Sequence, residues 1–217
     1  MTRPSDDAVT EDKIVVFFDV CSSTTILEDL LTTGNLRAWR NLLIATKNFL
    51  RESSATEGGM DIYNFIGDGW VLLFPSNTPG EHLIKTLTDL SCFFYHQMSE
   101  KIIPLLQSPP EVLGITFGAE SGTIIRIRML QNNEYIGRPL NVAARLQSAV
   151  KDNDSKPQYK LLISKHLYRS LGLDDSKHPA KPVVRHLRNL LGGRDYHCMK
   201  LALRVPGQCR RAGDCHR

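Results

Sequence analysis

No stretch of this chain is apolar for long. The longest run, around Ile14 to Phe18, falls far short of the about 20 residues that a membrane-crossing helix needs. The opening MTRPSDDAVTEDK is polar and lacks the apolar centre of a signal peptide, so a cytoplasmic location and no membrane partner are expected. Cysteine is scarce: five residues, an odd number without close pairs, suit a reducing compartment better than a disulfide framework. Cys209, Cys215 and His216 fall short of a zinc site because no fourth ligand is evident. Charge of one sign is also modest, at +4 net. The tail RVPGQCRRAGDCHR holds four arginines but no aromatics between them, which reads as a solvated terminus and not a nucleic-acid interface. Neither an internal repeat nor a low-complexity segment is present, which excludes solenoids and fibres.

What is present is an ordinary globular composition, 41% hydrophobic and 23% charged over 217 residues. A chain of that length buries roughly 70% of its unfolded surface and needs no staples. Lys13 to Asp19 reads as a fully buried strand. Ser22, Ser23 and Thr24 offer N-caps to a helix through Ile26, Leu27, Leu30 and Leu31. A second helix carries Leu36, Trp39, Leu42, Leu43, Thr46 and Phe49 at helical spacing. Met60 to Phe65 and Trp70 to Phe74 form a hairpin around Gly67, Asp68 and Gly69, whose two glycines permit positive φ on either side of the aspartate. A long helix is expected from Pro79 to Leu106, then a second hairpin, Val112 to Ala119 with Gly122 to Arg128, then a helix from Leu140 to Val150. The last third reads as strands LLIS and YHCMKLAL, a short helix near Leu167 and a polar loop, LDDSKHPAKP.

This order predicts an α+β fold, a ferredoxin-like antiparallel sheet with helices on one face plus C-terminal additions. In such a core the first strand lies antiparallel to the third, so Asp19 in IVVFFDVCSST and Asp68 in YNFIGDGWVLLF become neighbours at apposed strand ends. Two carboxylates so placed can share divalent cations that neutralise a triphosphate. In GRPLNVAARLQ, Asn141 and Arg145 stand four residues apart and project from one helix face. The amides of Cys21, Ser22, Ser23 and Thr24, at a helix start, can cradle phosphate.

FFDVCSST, NFIGDGW and YIGRPLNVAARLQ resemble, in order and spacing, the three signatures of the class III nucleotidyl cyclases, over roughly Lys13 to Val150. The resemblance implies a flexible N-terminus over 1–12, a catalytic domain over 13–203 and a basic tail over 204–217. It implies that Asp19 and Asp68, with the Val20 carbonyl, hold two divalent metal ions, Mn or Mg. It also implies that Asn141 and Arg145 act across a homodimer interface, in active sites shared between protomers. Arg188 in HLRNLL is the candidate for the triphosphate-binding cation. In this family a lysine four residues before the second aspartate marks adenylate cyclases and a glutamate marks guanylate cyclases; here the position is Asn64, and the second base-reading position is Glu134. Neither purine pattern is met. An asparagine can pair with uracil or, flipped, with cytosine. The whole is similar to the Pycsar antiphage pyrimidine cyclases, whose product activates a separate effector. That similarity implies UTP as substrate and cyclic UMP as product, with cytidylate or ordinary adenylate cyclase as alternatives. A catalytically silent nucleotide-binding module is the non-enzyme alternative. A polymerase-palm or diguanylate-cyclase relationship is disfavoured by NVAAR and by the absence of a GGDEF-like tip.

Overall fold

The computed structural model describes residues 8–57, 59–153, 156–187 and 195–203. Its elements run β1 (Ala8–Val20), α1 (Ser23–Thr32), α2 (Leu36–Glu57), β2 (Asp61–Ile66), β3 (Gly69–Pro75), α3 (Gly80–Gln97), β4 (Ile115–Met129), β5 (Asn132–Ile136), α4 (Arg138–Asn153), β6 (Lys160–Ser164), α5 (Lys165–Ser170), β7 (Ala180–His186) and β8 (Asp195–Ala202). The strands join one sheet in the order β2-β3-β1-β4-β6-β8-β7, with β5 paired to β4. The α+β class and the antiparallel β1–β3 pairing are as the sequence leads one to expect. No described helix is long and apolar enough to cross a membrane.

Alternation along β1 divides the interior. Ile14, Val16, Phe18 and Val20 turn to one face, where they meet Ile26 and Leu30 of α1, Leu42 and Leu50 of α2, and Leu83, Leu87, Leu90 and Phe94 of α3. The stripe read for α3 is all core: Leu83, Leu87, Leu90, Phe94 and Met98 are each at most 1% exposed. Burying each such side chain is worth about 1.5–3 kcal/mol relative to exposure. The opposite face presents Val15, Val71, Leu73 and Ile124, and α4 lies on it through Ala143 and Leu140. The expectation of helices on one face is therefore corrected: α4 covers the other. Gly118 is its seat, because a Cβ there would stand 2.2 Å from both the Ala143 carbonyl oxygen and the Gln147 nitrogen.

Four further boundaries differ from expectation. β1 starts at Ala8, so residues 8–12, expected to be flexible, instead pair with Thr123 to Ile127 of β4. In place of the expected hairpin of Val112–Ala119 with Gly122–Arg128 there is one unbroken strand, Ile115–Met129, in which Gly122 sits inside the β1–β4 ladder opposite Lys13. The true hairpin partner is β5, across a turn in which Leu130 takes φ 58°. The long third helix changes winding, to a π turn over Met98–Ile102 and a 3-10 turn over Ile103–Leu105. Part of the expected polar loop is β7, whose place at the end of the strand order lets Pro182 be accommodated. Among the cysteines, Cys21 and Cys198 are in no disulfide, whereas Cys92 is disulfide-bonded, so the reading of reduced cysteines does not hold for Cys92. The basic tail 204–217 lies outside the described residues.

Candidate active site

The β1–β3 ladder ends with Asp19 opposite Gly69, so the end of the first strand abuts the tip that carries Asp68. The two glycines of that tip serve different ends. Gly67 takes φ +69°, which closes the turn, whereas Gly69 is not at positive φ. A Cβ on Gly69 would lie 2.3 Å from the Phe18 carbonyl oxygen and 3.2 Å from Asp19 Oδ1, so it is the close approach of β1 that demands glycine there. Asp19 and Asp68, both partly buried, line one recess of about 250 Å3, together with Phe17, Phe18, Ile66, Gly69, Trp70 and Gln147.

Gln147 went unnoticed in the sequence. Its Nε2 donates to Thr116 Oγ1 at 2.8 Å and reaches Asp19 Oδ2 at 3.5 Å. A glutamine at a buried position of an amphipathic helix, 7% exposed, is the signal that could have found it. The described residues contain no group of three or more His, Cys, Asp or Glu able to hold a metal. Two aspartates beside a recess nevertheless fit Mg or Mn, which take hard oxygen ligands and bind through one or two carboxylates, leaving the remaining positions to water and phosphate.

The turn after β1 departs from expectation. Ser22 is the residue before α1 but adopts φ 55°, and its side chain makes no capping bond. Its Oγ donates instead to the Val112 carbonyl at 2.8 Å. The Cys21 amide donates to the Gly114 carbonyl at 2.8 Å, so it is directed away from any phosphate. Ser23 and Thr24 open the helix, and Val20 sits at the last rung of the β1–β4 ladder opposite Ile115.

At the other side of the recess, β2 carries a bulge between Ile62 and Asn64. The register steps from Ile62 opposite Leu72 to Asn64 opposite Val71. Directly opposed residues share a face, so the bulge turns Asn64 to the α4 side of the sheet, with Val71, and keeps Tyr63 there too. Tyr63 and Tyr135 meet edge to face at 4.9 Å. The Tyr63 hydroxyl donates to Glu134 Oε2 at 2.8 Å and accepts from the Tyr135 amide at 3.1 Å. Burial, then the bond to Glu134, hold that hydroxyl above the usual tyrosine range. Phe65 turns to the other face against Trp70, at 4.9 Å between rings.

On α4, Val142, Ala143, Leu146, Ala149 and Val150 point inward, while Asn141 is exposed and Arg145 half-buried. Neither Asn141 nor Arg145 lines the recess of Asp19 and Asp68. Arg188 lies outside the described residues. Asp19, Asn64, Tyr63 and α4 thus occupy one side of the sheet, with Asp68 at its edge.

No protein-family model and no curated protein matches the chain. Solved structures do match. The guanylyl cyclase Cya2 is similar with a TM-score of 0.70 at 15% identity, over 90% of this chain and 94% of that one. The adenylyl cyclase CyaB from P. aeruginosa matches with a TM-score of 0.63 at 17% identity, over 89% of this chain and 95% of that one. A bacterial light-regulated adenylyl cyclase matches with a TM-score of 0.68 at 16% identity, over 93% of this chain, which spans 55% of that longer protein. The fold is therefore that of the catalytic domains of adenylyl and guanylyl cyclases.

Proposed function

We propose that this chain is a nucleotidyl cyclase that converts a nucleoside triphosphate to its 3′,5′-cyclic monophosphate and pyrophosphate in active sites shared by two copies. One observation carries the reading: two carboxylates line a recess on the sheet face that α4 covers, while Asn141 and Arg145, outward on α4, stand outside it. A second copy facing this surface would complete each recess with its partner's helix, and two-fold symmetry would make two equivalent sites.

Asp19 and Asp68 would hold the divalent ions, with the Val20 carbonyl. Such ions supply charge neutralisation of the triphosphate and acidify the ribose 3′-hydroxyl. Arg145 would stabilise negative charge growing on the α-phosphate and leaving group, and Asn141 would orient the ribose. Ser23 and Thr24 at the start of α1 would offer amides to the phosphates, while the Cys21 amide holds the turn in place.

For the base, we infer a pyrimidine, with uracil first. Asn64 is neutral, presents a donor and an acceptor, and is turned by the bulge toward the face that bears Asp19. Tyr63, tied to Glu134, and Tyr135 stand beside it and narrow the space. Cyclic UMP would then serve as a signal to a separate effector in antiphage defence. Protein incubated with each of the four ribonucleoside triphosphates and Mn, with products read by mass spectrometry, tests the reading. Cyclic UMP is expected, cyclic CMP would change the base, and cyclic AMP alone would overturn the pyrimidine assignment. Binding of all four with consumption of none would leave a nucleotide-binding module. Phage plating on cells bearing the intact chain or Asp68→Ala tests the defence role, which fails if both strains protect equally.

A further inference from the structure

The ladder between β1 and β4 sets three rows on the face that α4 covers: Val15 opposite Glu120, Phe17 opposite Gly118, and Asp19 opposite Thr116. The middle row has no side chain on β4. The backbone of α4 rests in that gap, so close that a Cβ on Gly118 would stand 2.8 Å from the Gln147 Cα. Gln147 therefore starts one row from Asp19. Its side chain reaches the last row, where Nε2 meets Thr116 Oγ1 at 2.8 Å and Asp19 Oδ2 at 3.5 Å, and it lines the recess with Asp19 and Asp68.

A carboxylate only accepts hydrogen bonds, so the nitrogen of the Gln147 amide, and not its oxygen, is the atom that faces Asp19. Its two N–H groups are divided between two tasks. The short bond to Thr116 is buried, with Thr116 at 0% and Gln147 at 7% exposure, and ties the helix to the sheet. The long approach to Asp19 is at the outer limit of a hydrogen bond, so it steers Oδ2 without saturating it. The other oxygen lies elsewhere. Oδ1 is beside Gly69, where a Cβ would come within 3.2 Å of it, and so is turned to the tip that carries Asp68. An amide in this place also steers the carboxylate without offsetting its charge, whereas a lysine would neutralise Asp19 and compete with a divalent ion.

We propose that Gln147 is a positioning residue: its amide turns the Asp19 carboxylate so that Oδ1 faces the Asp68 tip, and so raises the affinity of the recess for a divalent cation. This rests on the reading of Asp19 as a metal ligand, but not on the metal serving a cyclase. The rival role is mechanical, a tie between α4 and β4 through Thr116 alone.

The probe is Mn alone, added to the full chain without nucleotide and read by paramagnetic resonance, since the bound ion loses the sharp signal of the free one. Wild type should show a saturable site that Asp19→Asn removes. Gln147→Met keeps an unbranched side chain and the helix preference but loses the amide, and should weaken that site about fivefold or more. Thr116→Val keeps the shape and breaks the tie, yet leaves the amide beside Asp19, held by the seat of α4 on Gly118. It should weaken Mn binding less than about twofold, while each variant lowers the thermal melt by about 2–4 °C. Equal weakening in the two variants, or none in Gln147→Met, overturns the proposal and leaves the mechanical tie. Mn binding that is absent from wild type or survives Asp19→Asn overturns it as well. In turnover, the Gln147→Met defect should shrink as Mn is raised to excess, with KM for the triphosphate unchanged; a defect that excess Mn does not repair also overturns it. Mn binding that depends on Asp19 and Gln147, in a chain that turns over no triphosphate, supports the positioning role and removes the cyclase reading instead.

Discussion

Along β1, the residues facing α1, α2 and α3 (Ile14, Val16, Phe18 and Val20) are no more than 1% exposed, whereas on the α4 side burial stops at Val15, and Phe17 and Asp19 stay partly open. The first face is dry and aromatic: Phe18 packs between Trp70 and Phe117, at 5.1 and 5.8 Å between ring centres. The second is covered by one helix and a pair of tyrosines, and it presents Asp19, Asn64 and the Tyr63–Glu134 bond. The α4 face is also packed at Val71, Leu73 and Ile124, but near the end of β1 it holds polar groups that the first face lacks. Substitutions should therefore separate stability from chemistry according to the face they touch.

The largest expected effect is on chemistry alone. Asp68→Ala should lower turnover about a thousandfold or more, and Arg145→Ala about 100- to 1000-fold, each with an unchanged circular-dichroism melt. Mixed in equal parts after subunit exchange, the two variants should regain about a quarter of wild-type activity, since half the dimers are hybrids and each hybrid has one intact site. Unfolding of either variant breaks the contrast between faces, and no recovery despite demonstrated exchange removes the shared site.

On the dry face the expectation reverses. Leu72→Ala, at 0% exposure in the main core, should cost about 2–5 kcal/mol in urea unfolding. Asn64→Ala, one residue of β2 turned the other way, should stay within about 0.5 kcal/mol and instead change which triphosphates compete for the site. A selectivity unmoved by Asn64→Ala would argue that the base is read elsewhere.

Gly118→Ala joins the two regions. Its added methyl meets the α4 backbone at 2.2 Å, which cannot yield as a flexible side chain would. A loss of about 1–3 kcal/mol is expected, together with a fall in turnover larger than Leu72→Ala produces at equal fraction folded, because α4 carries Asn141, Arg145 and Gln147. Equal falls would mean that the position of α4 is irrelevant to the reaction.

The strand ends that hold Asp19 and Asp68 were legible because short apolar runs break there into glycine and small residues. That Asn141 and Arg145 ride on one helix was legible from their spacing. Other features depend on partners that no local pattern names. Glu120 and Ser121 read as a turn, yet β1 pairs straight through them. An amphipathic helix states that it covers a sheet but not which face, so α4 was placed wrongly. Pro182 marked a loop until the strand order put it at an edge. The bulge that turns Asn64 is a mismatch of register between β2 and β3, invisible in either strand by itself. Gln147 joined the lining of the recess only when Asp19, 128 residues away, came within reach.

The smallest effect gives the finest test of the contrast. Tyr63→Phe keeps the ring against Tyr135 but removes the hydroxyl that donates to Glu134 and accepts from the Tyr135 amide. Both partners then turn to water, because this side of the sheet is only partly buried, and the loss should be about 1 kcal/mol, well below that of Leu72→Ala. The sign with pH follows from the raised Tyr63 pKa: whatever the hydroxyl contributes is fully present below the unfolded tyrosine value and fades as pH rises toward the folded one. Wild type and Tyr63→Phe should therefore differ in urea midpoint at pH 8 and converge in alkali. A difference that grows with pH, or one as large as the core substitution gives, would mean that the α4 face is built for stability after all.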